Sequence, residues 1–215
     1  MSQIGLPLDW TGRGDDARFL VSGANAIAAR HMESWRDWPI PVTILTGPAR
    51  SGRSTLGREF AALSGGQVID DAQGIAERAP TDNDLFHAWN IARDTGRPLL
   101  LIGRDDPALW PVALPDLRSR LAAAPHVRIG EPDDALVIAL IEQGLNQAGS
   151  AHSADVAPWI ARHIERSYAA VDRALATLND ASVSSSRKIS VRLAKETLRG
   201  AGILPILSPE DGAVD

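Results

Sequence analysis

A glycine-rich loop, Gly47-Pro-Ala-Arg-Ser-Gly52, constrains this sequence more than any other feature. It follows an apolar run over residues 41–46 whose β-branched residues predict a buried strand. Arg53, Ser54 and Thr55 come directly after it, at the start of a predicted helix. In such a loop the backbone amides converge on a phosphate, and the positive end of the helix faces the anion. The loop therefore predicts a nucleotide-phosphate site.

The residues that flank the loop are the candidate ligands. The Ser54 hydroxyl is placed to bind Mg²⁺, and Arg53 stands where a lysine is usual. An arginine keeps the charge but is larger and planar, so its contact with the phosphates differs. An ordinary glycine-rich turn is the alternative, but the order of strand, loop, helix and hydroxyl favours a bound nucleotide. The candidate cofactor-binding residues here are Gly47, Gly52, Arg53, Ser54 and Thr55, with Ser54 also a metal ligand.

Strands alternate with helices through the first part of the chain. Short apolar runs predict strands over 41–46, 67–69, 99–102 and 127–129. Helical spacing from Ser22 predicts a first helix whose inward stripe is Ile27, Ala28, His31, Met32 and Trp35. Further helices are predicted over 54–63, 84–95 and 115–124. This alternation indicates an α/β fold with a small parallel sheet covered by helices on both faces.

From Pro132 onward the pattern changes to helices alone. They are predicted over about 133–147, over 154–164, from Ser167, and over 190–199. We therefore expect four parts: an extended leader over 1–12, an α/β base over 13–131, a helical subdomain over 132–204, and a disordered tail over 205–215.

Composition removes several classes of protein. The formal net charge is -5, and the basic residues are scattered, so strong direct sequence-specific DNA binding is not expected. The chain has no cysteine, which excludes disulfides, thiolate catalysis and thiolate-bound zinc. It has no apolar run of membrane-spanning length and no signal segment after Met1, so we expect a cytoplasmic protein without a membrane partner.

Two strand ends carry polar side chains that suit nucleotide chemistry. Asp70 and Asp71 follow the second strand: Asp70 would hold Mg²⁺, through water, and Asp71 would orient the attacking water. Arg104 or Asp105, after the third strand, would sense the terminal phosphate, because ligands gather at the carboxyl ends of parallel strands. Turn chemistry is the alternative for the acidic pair, and a solvated turn is an equal alternative for Arg104 and Asp105.

Two arginines lie two residues apart on a predicted helix, at Arg118 and Arg120. Residues at this spacing do not share a helix face, so one can pair locally while the other projects outward. An arginine supplied to a neighbouring active site neutralises charge on the transferring phosphoryl group. By chemistry alone, two solvated surface arginines are the more common outcome.

These features together resemble the AAA+ module of the bacterial initiator DnaA, and most closely the Hda-type regulators of that initiator. The matching stretches are Phe19–Ala28, the loop and its helix start, Val68–Gln73, Leu114–Leu121 and Arg187–Ile189. The resemblance implies that Asn25 lies at the adenine side of a pocket for ADP or ATP with Mg²⁺. It implies that Arg120 is an arginine finger, and that the helical subdomain is a lid.

The leader resembles a peptide that binds the sliding clamp of DNA polymerase III. Its candidate contacts are Gln3, Ile4, Leu6 and Leu8, with the two leucines as apolar anchors. A terminus with chance leucines is the alternative for so short a motif. No DNA-reading helix-turn-helix domain follows the lid in this sequence, so the resemblance implies a clamp-bound partner of DnaA rather than an initiator.

Three departures from the family pattern bear on turnover. About a dozen residues separate the start of the loop's helix from the strand that precedes Asp70, so a strand–helix unit is missing and the sheet is expected to be small. Ala169 stands where a sensor arginine is expected, and Arg166 or Arg173 would substitute for it. With Arg53 in place of lysine, binding is better supported than hydrolysis. A stand-alone ATPase of the helicase-loader kind and a nucleotide-free clamp adaptor remain alternatives.

Overall fold

The structure is a computed structural model that describes residues 19–185 and 188–204, without the side chains of residues 182–185. We call residues 19–131 the base and the described residues from 132 to 204 the lid. The leader with its predicted clamp contacts Gln3, Ile4, Leu6 and Leu8 lies outside the described residues, as do Arg187 and the tail over 205–215.

The base is built on a sheet of four parallel strands. They are β1 (Val42–Thr46), β2 (Gln67–Ile69), β3 (Leu99–Ile102) and β4 (His126–Arg128), in the order β2-β3-β1-β4. The predicted bounds of β2 and β3 are confirmed. β4 begins and ends one residue earlier than predicted, because its ladder with β1 pairs Ile44 with His126. In the described chain no strand lies between β1 and β2, in keeping with the predicted loss of a strand–helix unit.

Helices cover both faces of this sheet. They are α1 (Ala26–Glu33), α2 (Arg53–Ser64), α3 (Asp82–Thr95) and α4 (Pro115–Ala123). Side chains of β3 alternate between the faces, as a strand requires: Leu99 and Leu101 pack with the α3 and α4 side, and Leu100 and Ile102 with the α1 and α2 side. The helices and the parallel sheet confirm the predicted fold class.

The predicted stripe of α1 is wrong at two positions: Ile27 faces outward, and Trp35 lies beyond the helix in a 3-10 turn (Trp35–Asp37). Ile27 is 67% exposed, whereas Ala28, Ala29 and Met32 are buried. The helix begins only at Ala26, after a turn, and the small alanines at 28 and 29 let it approach the sheet closely. Ile27 consequently lies on the outer side of the helix, beside the buried stripe.

The lid is a group of four helices with an apolar core of its own. They are α5 (Asp134–Gln147), α6 (Val156–Ala161), α7 (Tyr168–Ser185) and α8 (Val191–Gly200). The side chains of Asp133 and Ser190 cap α5 and α8, each by accepting a bond from the amide three residues on. α6 is shorter than predicted, because the chain turns after Ala161. The amides of His163 and Ile164 both donate to the Ile160 carbonyl in this turn. None of the described helices is long and apolar enough to cross a bilayer.

Candidate nucleotide-binding cleft

The carboxyl ends of three strands meet at one edge of the sheet and carry polar groups. The phosphate loop, residues 47–52, follows β1; Asp70 follows β2; and Gly103 follows β3. Two hydrogen bonds join these segments: the Arg53 guanidinium donates to the Gly103 carbonyl, and the Ser54 hydroxyl donates to Asp70. These three segments therefore lie together at one edge of the sheet, where the sequence predicts the nucleotide site.

Close approaches explain both glycines of the phosphate loop. Gly52 caps α2 in the left-handed region with φ 85°, and a Cβ there would lie 3.0 Å from the ring of Phe19. A Cβ at Gly47 would lie 2.9 Å from the carbonyl oxygen of Ile129, just beyond β4. The loop is thus held between the chain that enters the base and the end of β4, with its amides at the start of α2.

Arg53 lies inside the base rather than over the loop. Its guanidinium is half-buried and donates to the Gly103 carbonyl at the end of β3. Burial lowers the pKa of Arg53, and the carboxylate of Asp70 opposes that shift. The side chain keeps its charge, because arginine is not deprotonated in proteins. Arg53, at the position where lysine is usual, therefore joins the start of α2 to the end of β3, and a phosphate would have to compete with a carbonyl for it.

The two adjacent carboxylates after β2 have different partners. Asp70 accepts the Ser54 hydroxyl at 2.5 Å, which places a hydroxyl and a carboxylate side by side at the start of α2. Asp71 has φ 52°, and its carboxylate accepts the amides of Ile75 and Ala76 at 3.3 and 2.6 Å. Asp71 thus caps the turn that follows β2, and its assignment as the residue that orients water stays a prediction.

Gln73 is a buried residue whose function the sequence interpretation missed. Its amide oxygen accepts the backbone amides of Arg104 and Asp105, and its amide nitrogen donates to the Asp105 carboxylate at 3.0 Å. It therefore fixes the end of β3, where Arg104 has an exposed side chain and a carbonyl that accepts the Gly47 amide. The sequence did hold a signal for Gln73, because this glutamine ends the run Val68–Gln73 that matches the family pattern.

A cleft with about 530 Å³ of space, part of it open to solvent, lies between the phosphate loop and the lid. Its apolar wall combines residues of both parts: Phe19, Leu20, Leu136, Leu140 and Tyr168. Of the predicted cofactor-binding residues, Asn25, Gly52 and Thr55 line it, while Gly47, Arg53, Ser54, Arg104 and Arg173 are outside its lining. Arg50, Ser51 and Gln143, which the sequence interpretation did not single out, line it as well.

Asn25 shapes the cleft from behind. Its side chain is 2% exposed, accepts the Ser22 amide and donates to the Leu20 carbonyl, both at 2.8 Å. These two bonds hold the segment from Leu20 to Asn25 in a turn against the cleft. Asn25 therefore positions the wall at which the sequence predicted the adenine side of a pocket.

Tyr168 and Asp172, one helical turn apart on α7, join the lid to the base. The Tyr168 hydroxyl donates to the Gly130 carbonyl at 3.1 Å, and burial raises the pKa of Tyr168 to about 12. Asp172 pairs with Arg50 of the phosphate loop at 3.1 Å.

The two arginines proposed as sensor substitutes are both outside the lining of the cleft. Arg173 is exposed, and Arg166 pairs with Asp134 at 3.4 Å within the lid. Their sensing function stays a prediction.

Arg120 is held within the base by residues of α3 and α4. Its guanidinium donates to Asn90 at 2.7 Å and to Asp116 at 2.8 Å, and lies 4.5 Å from the centre of the Phe86 ring. The side chain is 22% exposed. Arg118, two residues earlier, is an exposed residue that donates to the Val112 carbonyl. Both arginines therefore have partners, against the expectation that one would project freely.

Sequence comparison relates part of the chain to an initiator protein. No model of a known protein family matches the chain. The DnaA chromosomal replication initiator protein of Thermomicrobium roseum is 30% identical over 133 residues, 61% of this chain and 28% of that protein. An uncharacterized protein of Haemophilus influenzae is 27% identical over 131 residues, 60% of this chain and 57% of its own length. The chain thus matches less than two thirds of the length of either relative.

Solved structures give the fold. Domain III of the DnaA of Thermotoga maritima superposes with a TM-score of 0.68 at 14% identity, covering 85% of this chain and 94% of that domain. DnaA of Aquifex aeolicus bound to AMPPCP gives a TM-score of 0.62 at 15% identity, covering 86% and 68%. The RuvB branch-migration motor of Thermotoga maritima gives 0.59 at 13%, covering 82% and 68%. The chain therefore has the AAA+ fold in the form found in domain III of DnaA.

Proposed function

We propose that this chain is an adenine-nucleotide-binding AAA+ regulator of replication initiation, of the Hda type. The observation that carries the nucleotide part is the cleft itself. Its apolar wall from base and lid suits a purine ring, and on its other side the Gly52 backbone begins α2, where anions bind. The structural neighbour from Aquifex aeolicus is a DnaA bound to AMPPCP, which supports an adenine nucleotide here.

The residues beside the cleft also suit Mg²⁺. Ser54 and Asp70 offer a hydroxyl and a carboxylate whose oxygens lie 2.5 Å apart, an all-oxygen donor set of the kind that Mg²⁺ prefers. These two side chains would hold the ion, with water completing its shell. When bound, Mg²⁺ would neutralise charge on the nucleotide phosphates.

Three features support a protein that holds its nucleotide without efficient turnover. The Arg53 guanidinium is bound to the Gly103 carbonyl, and the Asp71 carboxylate to backbone amides of its turn. The third is Ala169, an exposed residue with no charge, at the position where a sensor arginine was expected. We infer that ADP is the resting ligand and that hydrolysis by this chain is weak or absent.

The regulatory part concerns the ATP of another protein. Arg120 would reach the terminal phosphate of ATP bound to DnaA and neutralise the charge that develops there. Its two hydrogen bonds and the Phe86 ring restrict the guanidinium to one place, and a preorganised cation loses less entropy on engaging a phosphate. These two bonds use two of the five N–H donors of the guanidinium, so a phosphate oxygen can be bound without displacing Asn90 or Asp116.

The leader would bring this finger to its target. Gln3, Ile4, Leu6 and Leu8 would bind the β sliding clamp of DNA polymerase III, so that the chain acts where a clamp is loaded on DNA. Both partners belong to the cytoplasm, where we expect this protein to work. The likeness to DnaA in sequence and in fold supports a replication context for the proposal.

A stand-alone motor is the second candidate, and the likeness of the fold to the RuvB branch-migration motor favours it. A motor hydrolyses ATP by itself and assembles from copies of its own chain. The regulator hydrolyses little alone and raises hydrolysis by DnaA.

Phosphate release separates the two candidates. We would measure it from the purified chain, and from ATP-loaded DnaA with the chain and clamp-loaded DNA. The proposal expects little release from the chain alone and strong stimulation of DnaA that Leu6→Ala removes. Rapid release from the chain alone, without effect on DnaA, would establish the motor instead.

A further inference from the structure

Arg50 occupies an unusual backbone position in the phosphate loop. Its φ is 67°, in the left-handed region that glycine adopts at no cost and a bulky residue adopts with strain. Such strain persists only where the surroundings compensate for it, and it concentrates at ligand sites. A glycine would satisfy the loop geometry without strain, so the side chain of Arg50 needs its own explanation.

That side chain lines the cleft and leads to the lid. Its guanidinium lies 3.1 Å from the Asp172 carboxylate on α7, across 122 residues of sequence. The two side chains are 65% and 46% exposed, and Arg50 lines the cleft, so a ligand there can reach its guanidinium. Asp172 lies three residues after Ala169, about one helical turn along α7. The lid therefore contributes a carboxylate to this place, and the loop contributes the cation.

Phosphate oxygens and a carboxylate are alternative partners for one guanidinium. Arg53 is tied to the Gly103 carbonyl, so Arg50 is the cation of the loop that faces the cleft. A nucleotide phosphate seated on the loop would draw Arg50 away from Asp172 and would also face the Asp172 charge. More negative charge on the nucleotide strengthens both effects.

We propose that Arg50 binds the nucleotide phosphates in competition with Asp172, so that this pair sets the nucleotide affinity and links it to the position of the lid. The inference rests on the proposed nucleotide binding at this cleft and adds a specificity-determining pair to it. Asp172 weakens the binding of a triphosphate more than that of a diphosphate, which favours ADP as the resting ligand.

Calorimetric titration with Mg²⁺ and either ADP or AMPPCP tests the pair. Asp172→Asn should lower the Kd for AMPPCP by about two- to fivefold, the fold-change that corresponds to an exposed ion pair, and the Kd for ADP by less. Glu196→Gln is the matched control, because Glu196 forms a similar exposed pair with Arg192 inside the lid. It should leave both constants unchanged.

A double-mutant cycle separates competition from simple repulsion. In an Arg50→Gln background, Asp172 has no guanidinium to compete for. The increase in nucleotide affinity caused by Asp172→Asn should therefore be smaller there than in the wild-type background. An equal gain in both backgrounds, or no gain in the wild-type background, would overturn the inference while leaving nucleotide binding intact. Failure of the wild-type chain to bind either nucleotide would instead refute the proposed function. Thermal unfolding of each variant checks that the fold is kept.

Discussion

The base and the lid meet at the cleft, but they hold their polar groups in different ways. In the base, long-range hydrogen bonds from Gln73 and Arg53 fix the end of β3, and the bond that Arg120 donates to Asn90 joins α4 to α3. The lid has its own apolar core, formed by all four of its helices. Polar contacts between the two parts include the Tyr168 bond to Gly130 and the exposed pair of Arg50 with Asp172.

The two parts therefore differ in how readily a ligand can replace the contacts of their polar groups. The base carries the groups that must stay in place, namely the phosphate loop, the Ser54–Asp70 pair and Arg120. The lid adds an apolar wall and a carboxylate through contacts that a ligand can exchange. We therefore expect substitutions in the base to abolish a function or destabilise the fold, and substitutions at the junction to tune affinity.

The largest effect in the cleft is expected from Gly52→Ala. The added Cβ would lie 3.0 Å from the Phe19 ring, at a φ of 85° that disfavours alanine. Displacing the loop should weaken nucleotide binding by at least about tenfold, as measured by calorimetric titration.

Gly65→Ala is the matched control for this substitution. Gly65 ends α2 with a φ of 65° in open space, so alanine there carries the backbone strain without the clash. It should lower stability while leaving the Kd for ADP unchanged. Equal Kd values for the Gly52 variant and the wild type would show that phosphates do not bind at this loop.

The next effect is expected from Gln73→Leu, a test of the rigid base. The substitution leaves the amides of Arg104 and Asp105 without the part-buried acceptor that they share. Such orphaned groups cost about 1–3 kcal/mol each, so the free energy of unfolding should fall by at least about 2 kcal/mol in urea titrations.

Thr177→Val in the lid provides the contrast. It removes a hydroxyl that donates to a carbonyl of its own helix, at Arg173. The free energy of unfolding should change by no more than about 0.5 kcal/mol. Similar losses for the two variants would remove the distinction between a fixed base and an adaptable lid.

Local sequence patterns predicted the elements of both parts, and the reason is physical. Apolar runs gave the bounds of β2 and β3, and helical spacing gave the ends of α3 at Thr95 and of α5 at Gln147. These signals act over one or two turns of chain. The prediction for Ile27 was wrong because no local pattern shows that an apolar residue next to a buried stripe is exposed.

Site contacts between distant residues could be predicted only in part. The glycine spacing placed the phosphate loop, and the acidic pair placed Asp70 beside Ser54. The pairing of Arg50 with Asp172 and of Arg120 with Asn90 spans 122 and 30 residues, and no periodicity encodes such partners. The Gly103 carbonyl could not be predicted as the partner of Arg53 either, because every residue has a backbone carbonyl and the sequence does not mark which one accepts.

A smaller effect is expected from Tyr168→Phe at the junction. The variant keeps the ring in the cleft wall and removes the bond to the Gly130 carbonyl, which is worth about 0.5–1.5 kcal/mol. Nucleotide affinity should fall by a few-fold, and amide hydrogen exchange in α7 should accelerate. Unchanged exchange in α7 together with unchanged affinity would exclude this bond as a lid contact.

The smallest effect is a pH dependence of the base. Burial lowers the pKa of His31, whose ring lies 2.7 Å from the Thr43 hydroxyl, and likewise lowers the pKa of His126, which contacts Thr46. A depressed histidine pKa means that the unfolded chain takes up protons first, so stability falls as the pH drops below about 6.5.

His31→Gln tests this dependence because it keeps a hydrogen-bonding side chain that does not titrate. Thermal unfolding midpoints between pH 7 and pH 5 should decline less steeply for the variant than for the wild type. An identical decline would show that His31 does not contribute to the acid sensitivity of the base.

The central claim is that Arg120 acts on a nucleotide held by DnaA. The direct test is phosphate release from ATP-loaded DnaA, with clamp-loaded DNA and either the wild-type chain, Arg120→Ala or Arg118→Ala. Arg118 is the control, because it lies two residues away and donates to the Val112 carbonyl. Thermal unfolding of each variant ensures that a folded chain is compared.

Arg120→Ala should lower the stimulation by at least about a hundredfold, while Arg118→Ala should keep most of it. Stimulation by folded Arg120→Ala equal to that of the wild type would contradict the account, and Arg120 would then be a structural residue of the base.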